Sequence, residues 1–202
     1  MKSANQLIWR GGLLFLIGTT FSFVLNVLHA HQHSSLQHPT NWNRICLHWW
    51  LLLVCGSASV LIGFILPILK FRGCDTVKSQ DWSHVLRCTI IFVGLNEACT
   101  KIEFPSNLQL SISLAILSLG LWWYFDGTPI GFGIGIITAS IATMIAYILV
   151  YNQLCIFSER EFSYLRAWLP CVVFSGGITI GNIGEKLAAN DYLDGENKSH
   201  AE

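Results

Sequence analysis

Apolar residues fall into six long stretches that are separated by short polar segments. A helix of about 20 apolar residues crosses the roughly 30 Å hydrocarbon core of a bilayer. We therefore predict an all-α membrane protein of six transmembrane helices with short loops. The predicted spans cover residues 13–28, 45–66, 85–102, 108–125, 130–151 and 168–183. They form one membrane domain, residues 1–187, followed by a tail at 188–202.

Composition agrees with the bilayer as the solvent. Of the 202 residues, 52% are hydrophobic and only 12% are charged, against about 25% charged in soluble domains. The net charge is zero, so the chain lacks the basic field that binds nucleic acid. The seven cysteines are dispersed, which favours neither a disulfide framework nor a metal site, and no metal is expected.

The basic residues predict the orientation of the spans. If the N-terminus is cytosolic, eight of the twelve Lys and Arg residues fall on the cytosolic side. Cytosolic loops of membrane proteins carry such an excess. We therefore expect both termini in the cytosol. Asp126 then lies at the cytosolic boundary, directly after the aromatic run at 122–125.

Small residues predict how the spans pack. Gly131 and Gly135 share one face of the fifth span, and Gly177 and Gly181 share one face of the sixth. Glycines four residues apart let a neighbouring backbone approach closely, which is how helices associate where lipid supplies no hydrophobic driving force. We interpret all four as helix-packing residues.

Two amides lie at similar depth on neighbouring predicted helices. Asn96 follows Phe92 by one turn on the third span, and Gln109 starts the fourth. The two amides can simply bond each other, or one can meet a ligand hydroxyl inside an apolar cavity, as a rigid hydrocarbon ligand would require. Glu97 and Lys101 have the spacing and order of a helical ion pair.

Asp126 is a carboxylate without a basic neighbour in the sequence. Asp-Gly-x-Pro is ordinary turn and cap chemistry, so a local structural role is one reading. The other is an acceptor offered to a second membrane protein. No catalytic motif or internal repeat supports the alternatives of a lipid-modifying membrane enzyme or a small-solute transporter, and we expect no enzyme activity.

Several strings resemble the Insig family of endoplasmic reticulum membrane proteins. The chain carries RGGLLFLIG at 10–18, CGSASVLIG at 55–63, DWSHVLRC at 81–88 and FVGLNEACTKIEF at 92–104. The most specific strings are SLGLWWYFD at 118–126 and LPCVVFSGGITIGNIG at 169–184. The resemblance runs in order from about residue 10 to the C-terminus.

The resemblance implies a non-enzymatic adaptor with six spans and cytosolic termini. Such a protein binds oxysterols, for example 25-hydroxycholesterol, and needs no cofactor. Its expected partners are Scap, which carries the SREBP transcription factors, HMG-CoA reductase of cholesterol synthesis, and membrane ubiquitin ligases. Asp126 matches the family aspartate that binds Scap and the reductase. Phe92, Gln109 and Trp122 match positions of the sterol pocket, and Asn96 joins them by its depth and helix face.

The C-terminal residues carry one further motif, and the chain differs from the family pattern at two places. Lys198 and His200 match a K-x-H-x-x retrieval signal, which requires a cytosolic tail. The segment 127–130 replaces basic and serine residues of the family, so regulation through those residues is in doubt. Glu97 stands where a histidine is usual, at the lumenal end of the expected pocket.

Overall fold

The computed structural model describes residues 2–33, 42–72, 81–101, 107–151 and 159–199. Within these ranges the chain forms helices and no strand, which confirms the predicted all-α fold class. The six helices are α1 (Lys2–His33), α2 (Trp42–Arg72), α3 (Trp82–Lys101), α4 (Asn107–Phe125), α5 (Pro129–Tyr151) and α6 (Glu159–Ser199).

Four segments within the described residues are long and apolar enough to cross a membrane. They lie in α1, α2, α4 and α5 and cover Gln6–Leu25, Leu52–Lys70, Leu108–Phe125 and Pro129–Ile148. Helix α3 carries Arg87, Glu97 and Lys101, and α6 holds many charges towards both of its ends, so their composition is less apolar.

Helix α6 is the centre of the bundle. It packs against each of the other five helices, and every residue from 174 to 185 is buried. A helix that is buried on all sides needs small residues where its neighbours cross it closely. The glycine-rich string at 176–184 supplies them, and this explains why a segment so poor in bulky side chains forms the core.

Helices α2 and α6 continue through prolines and past the predicted ends of their spans, and α1 (Lys2–His33) also exceeds its predicted span of 13–28. Helix α2 runs through Pro67 to Arg72, beyond the predicted end at 66, and α6 runs through Pro170 and on to Ser199. Proline removes one helical hydrogen bond, and packed neighbours can supply a replacement donor. The extension of α2 places Lys70 inside the bundle.

Candidate functional site

Three charged side chains meet where α2, α6 and the turn between α4 and α5 come together. The Lys70 ammonium donates a hydrogen bond to Oδ1 of Asp126 and lies 2.5 Å from Oε1 of Glu185. The side chains of Lys70, Asp126 and Glu185 are only 5%, 4% and 10% exposed. We call these three residues the buried ion cluster.

The cluster holds two carboxylates and one ammonium. Both carboxylates form ion pairs with Lys70, and the pair with Asp126 is also a hydrogen bond. Ionisable groups at membrane depth are costly and are tolerated when they pair with one another. Lys70 is therefore the shared counter-ion of Asp126 and Glu185.

The turn between α4 and α5 fixes the other side of Asp126. Gly127 takes a positive φ of 62°, the left-handed conformation in which glycine ends a helix at low cost. The hydroxyl of Thr128 donates to Oδ2 of Asp126 at 2.9 Å and accepts the Gly131 amide at 3.1 Å. Thr128 thus caps the start of α5, while Asp126 accepts bonds from Thr128 and Lys70.

Gly131 leaves room for that carboxylate. A Cβ atom on Gly131 would collide with the carboxyl group of Asp126 and come within 3.0 Å of the Thr128 hydroxyl. The nearest neighbours of Gly131 thus belong to the turn and not to another helix. The absent side chain lets Asp126 fold back over the first turn of α5.

A second polar contact lies where α1, α2 and α6 meet. Nη2 of Arg10 donates to the carbonyl oxygens of Gly63 and Gly184, both at 3.0 Å. The guanidinium also lies over the Phe64 ring, 4.9 Å from its centroid. A Cβ on Gly184 would stand 2.6 Å from the Gly63 oxygen, so the backbones of α2 and α6 cross in direct contact here.

The other glycines that the sequence assigns to packing lie against different helices. A Cβ on Gly135 would lie 2.7 Å from the Phe174 ring, and one on Gly181 would lie 2.7 Å from Leu66. Gly177 has looser surroundings, with the Thr138 hydroxyl 3.4 Å from such an atom. Gly135 therefore marks a close contact of α5 with α6, and Gly181 marks a close contact of α6 with α2.

The predicted pocket residues of α3 and α4 occupy different surroundings. Phe92 is buried in the core with its ring centroid 5.6 Å from that of Phe21. Asn96 is also buried, and its amide donates to the Phe92 carbonyl at 2.7 Å, while Oδ1 lacks a hydrogen-bond partner among the described residues. Gln109 is exposed on α4.

Trp122 belongs to the turn region. Its indole nitrogen donates to the Thr128 carbonyl at 3.0 Å, and its ring centroid lies 4.7 Å from that of Phe132. Both contacts connect the end of α4 to the start of α5. Trp122 thereby reinforces the turn that carries Asp126.

An open cavity of about 480 Å³ lies along α4, α5 and α6. It is largely open to the surroundings, so a molecule in it would lie against these helices and not inside the bundle. Hydroxyl groups of Ser118, Ser140 and Thr143 interrupt an otherwise apolar lining, and Phe132 connects it with Trp122. Phe92, Asn96, Gln109 and Trp122 themselves do not line this cavity.

The remaining predicted residues lie at the ends of the chain and of α3. Lys198 falls in the last turn of α6, and His200 lies outside the described residues. The predicted ion pair between Glu97 and Lys101 is confirmed at 2.7 Å, with both side chains accessible. This pair is separate from the buried ion cluster.

The sequence singles out Asp126 but not its neighbours Lys70 and Glu185, nor the separate contact made by Arg10. Lys70 lies beyond the predicted span of 45–66, so the apolar pattern places it in a loop. Glu185 directly follows the glycine-rich string of α6, and an acid beside so buried a segment was the available signal.

Six packed helices with buried, paired charges define a polytopic α-helical membrane protein. The family model for the insulin-induced proteins, INSIG, matches residues 9–188. Insulin-induced gene 1 protein of Danio rerio is 44% identical over 190 residues, which cover 93% of this chain and 75% of the relative. Insulin-induced gene 2 protein of Gallus gallus is 42% identical over 197 residues, or 96% and 88% of the two chains.

Similarity extends to the human relative. Insulin-induced gene 1 protein of Homo sapiens is 40% identical over 186 residues, which cover 91% of this chain and 67% of the relative. The chain therefore belongs to the INSIG family. The resemblance inferred from the sequence strings is confirmed.

Proposed function

We propose that the protein is a non-enzymatic, sterol-responsive adaptor of the endoplasmic reticulum membrane. It binds an oxysterol such as 25-hydroxycholesterol and retains Scap together with SREBP. It also promotes the sterol-dependent degradation of HMG-CoA reductase by bringing membrane ubiquitin ligases to it. These roles rest on membership of the INSIG family and on the residues that the family resemblance assigns to them.

The observation that carries the proposal is the ordered turn around Asp126. Asp126 is the residue that the resemblance assigns to partner capture, and the turn holds it through Thr128 and Lys70. A turn that is capped, fixed by a buried ion pair and backed by Trp122 offers a rigid surface, and rigid surfaces lose little entropy when a partner binds.

Binding of the sterol and capture of the partner are thermodynamically coupled. An oxysterol strengthens partner capture only by binding the complex more tightly than the separated proteins. A preference of about 1.4 kcal/mol gives about a tenfold change in capture. The proposed sterol residues are Phe92, Asn96, Gln109 and Trp122. The open cavity along α4, α5 and α6, which these residues do not line, is a second candidate location for a lipid.

Retention is supported by the C-terminal sequence. Lys198 and His200 have the spacing of a retrieval signal that cytosolic coat proteins read. We propose that both termini face the cytosol, where this signal is accessible.

Capture of purified Scap membrane domain tests the proposal. We expect the protein to retain Scap in the presence of 25-hydroxycholesterol and to release it without the sterol. Asp126→Asn, which keeps the shape of the side chain, should abolish the sterol-dependent retention. Lys101→Met, which removes an accessible ion pair, is the control and should retain Scap normally. Equal retention with and without sterol would refute the proposed function.

A further inference from the structure

Both oxygens of Asp126 are occupied within the chain. Oδ1 accepts from the Lys70 ammonium and Oδ2 accepts from the Thr128 hydroxyl. With 4% of the side chain exposed, almost none of the carboxylate is available to a second protein. A direct contact with a partner would require Asp126 to leave these bonds.

Lys70 connects Asp126 to the rest of the bundle. Its ammonium belongs to the last turns of α2 and also meets Glu185 of α6. The turn between α4 and α5 is thereby fixed to two other helices through a single cation. Breaking a buried pair by removing one partner is strongly unfavourable because it leaves an uncompensated charge. The position of the turn thus depends on the ammonium.

The turn presents apolar surface on its outer side. Trp123 and Tyr124 directly precede it and are 76% and 71% exposed, and Pro129 is also exposed. Large aromatic residues are enriched at protein interfaces. These side chains are accessible to a partner at the membrane boundary, whereas the buried side chain of Asp126 is not.

We propose that Lys70 is the positioning residue through which Asp126 supports partner capture. The inference rests on the proposed function and specifies how its key residue works. Asp126 does not reach the partner. It accepts the Lys70 ammonium, and the ion cluster holds the aromatic surface of the turn in the orientation that the partner recognises.

A direct contact between Asp126 and the partner would predict a different effect of removing the Lys70 ammonium. If Asp126 contacted a group on the partner directly, Lys70 would compete with that group for the carboxylate. Removing the ammonium would then free Asp126, and capture would stay unchanged or become tighter. Under the positioning role, removing the ammonium weakens capture although Lys70 is itself buried.

The test measures the affinity for purified Scap membrane domain in 25-hydroxycholesterol, using Lys70→Met and the milder Lys70→Gln. We expect at least a tenfold loss of affinity in both variants, with binding of labelled 25-hydroxycholesterol by the adaptor alone unchanged. Lys70→Gln keeps an amide donor for Asp126, so it provides a folded variant if Lys70→Met does not fold.

Two controls separate positioning from general destabilisation. Leu14→Ala removes a core side chain that is 0% exposed, on α1 and outside the core cluster that contains Phe92, and it should bind Scap normally despite a lower melting temperature. Lys101→Met removes a cation from an exposed ion pair and should also bind normally.

The outcomes distinguish this inference from the proposed function. Normal or tighter capture by the Lys70 variants, with Asp126→Asn still inactive, would overturn the positioning role and leave the adaptor function standing. Parallel loss of sterol binding and capture would also overturn it, because Lys70 would then support the whole fold. Failure of the wild-type protein to retain Scap would refute both.

Discussion

The guanidinium of Arg10 donates a hydrogen bond to the carbonyl oxygen of Gly63, with 3.0 Å between nitrogen and oxygen. In a regular helix this carbonyl would accept the amide of the residue four positions on, and that residue is Pro67, which has no amide hydrogen. Arg10 of α1 therefore replaces the hydrogen bond that proline removes from α2. This replacement explains how α2 continues as far as Lys70.

The replacement predicts an energetic coupling between Arg10 and Pro67. Arg10→Met should leave a part-buried carbonyl unsatisfied, at a cost of about 1–3 kcal/mol. Pro67→Ala restores the helical donor, so the same Arg10→Met change should cost less in that background. A double-mutant cycle on melting temperature checks this, since about 1 kcal/mol corresponds to roughly 2–4 °C in a chain of this size.

Pro170 provides the matched background for that cycle. It interrupts α6 in the same chemical way, but it lies fourteen positions, or about 21 Å of helix, before the Gly184 carbonyl that Arg10 bonds. Arg10→Met should therefore cost as much in Pro170→Ala as in the wild type. Equal costs in all three backgrounds would contradict the role assigned to Arg10.

Gly184 should not tolerate a side chain. A Cβ there would lie 2.6 Å from the Gly63 oxygen and 2.7 Å from its Cα, and backbone atoms cannot turn aside. We expect Gly184→Ala to push α2 and α6 apart and to cost about 1–3 kcal/mol. Thermal unfolding in detergent measures the effect.

Gly94 is the control for Gly184. It is also helical, yet a Cβ there would meet nothing within 4 Å. Gly94→Ala should be neutral or should stabilise the protein by up to about 1 kcal/mol, the helix propensity difference. Equal melting temperatures of Gly184→Ala and Gly94→Ala would show that α2 and α6 do not cross in direct backbone contact.

The sterol site has two candidate locations that one binding experiment separates. We expect Phe92→Ala and Gln109→Ala to weaken the binding of labelled 25-hydroxycholesterol by about tenfold, the effect of about 1.4 kcal/mol. Ser140→Phe instead fills the open cavity along α4, α5 and α6, which Ser140 lines from an exposed position, and should leave binding unchanged. Loss of binding in Ser140→Phe alone would place the sterol in that cavity.

Local and compositional features were predictable from the sequence. The number and type of elements followed from the apolar stretches, because a bilayer requires helices of a fixed minimum length. The pair of Glu97 and Lys101 followed from a spacing of four residues, because such residues are neighbours on any helix. Family membership followed from strings that need no tertiary structure to read.

Only the tertiary structure decided what surrounds Asp126. Lys70 is 56 positions away in the sequence, and the acceptors of Arg10 are 53 and 174 positions away. In a soluble protein, the apolar face of each helix indicates which side turns inward. In lipid both faces are apolar, and packing and polar contacts select the neighbours. The sequence by itself therefore determined the six helices and singled out Asp126. Only the fold determined that Asp126 is paired, because the hydropathy pattern holds no information on side-chain contacts between helices.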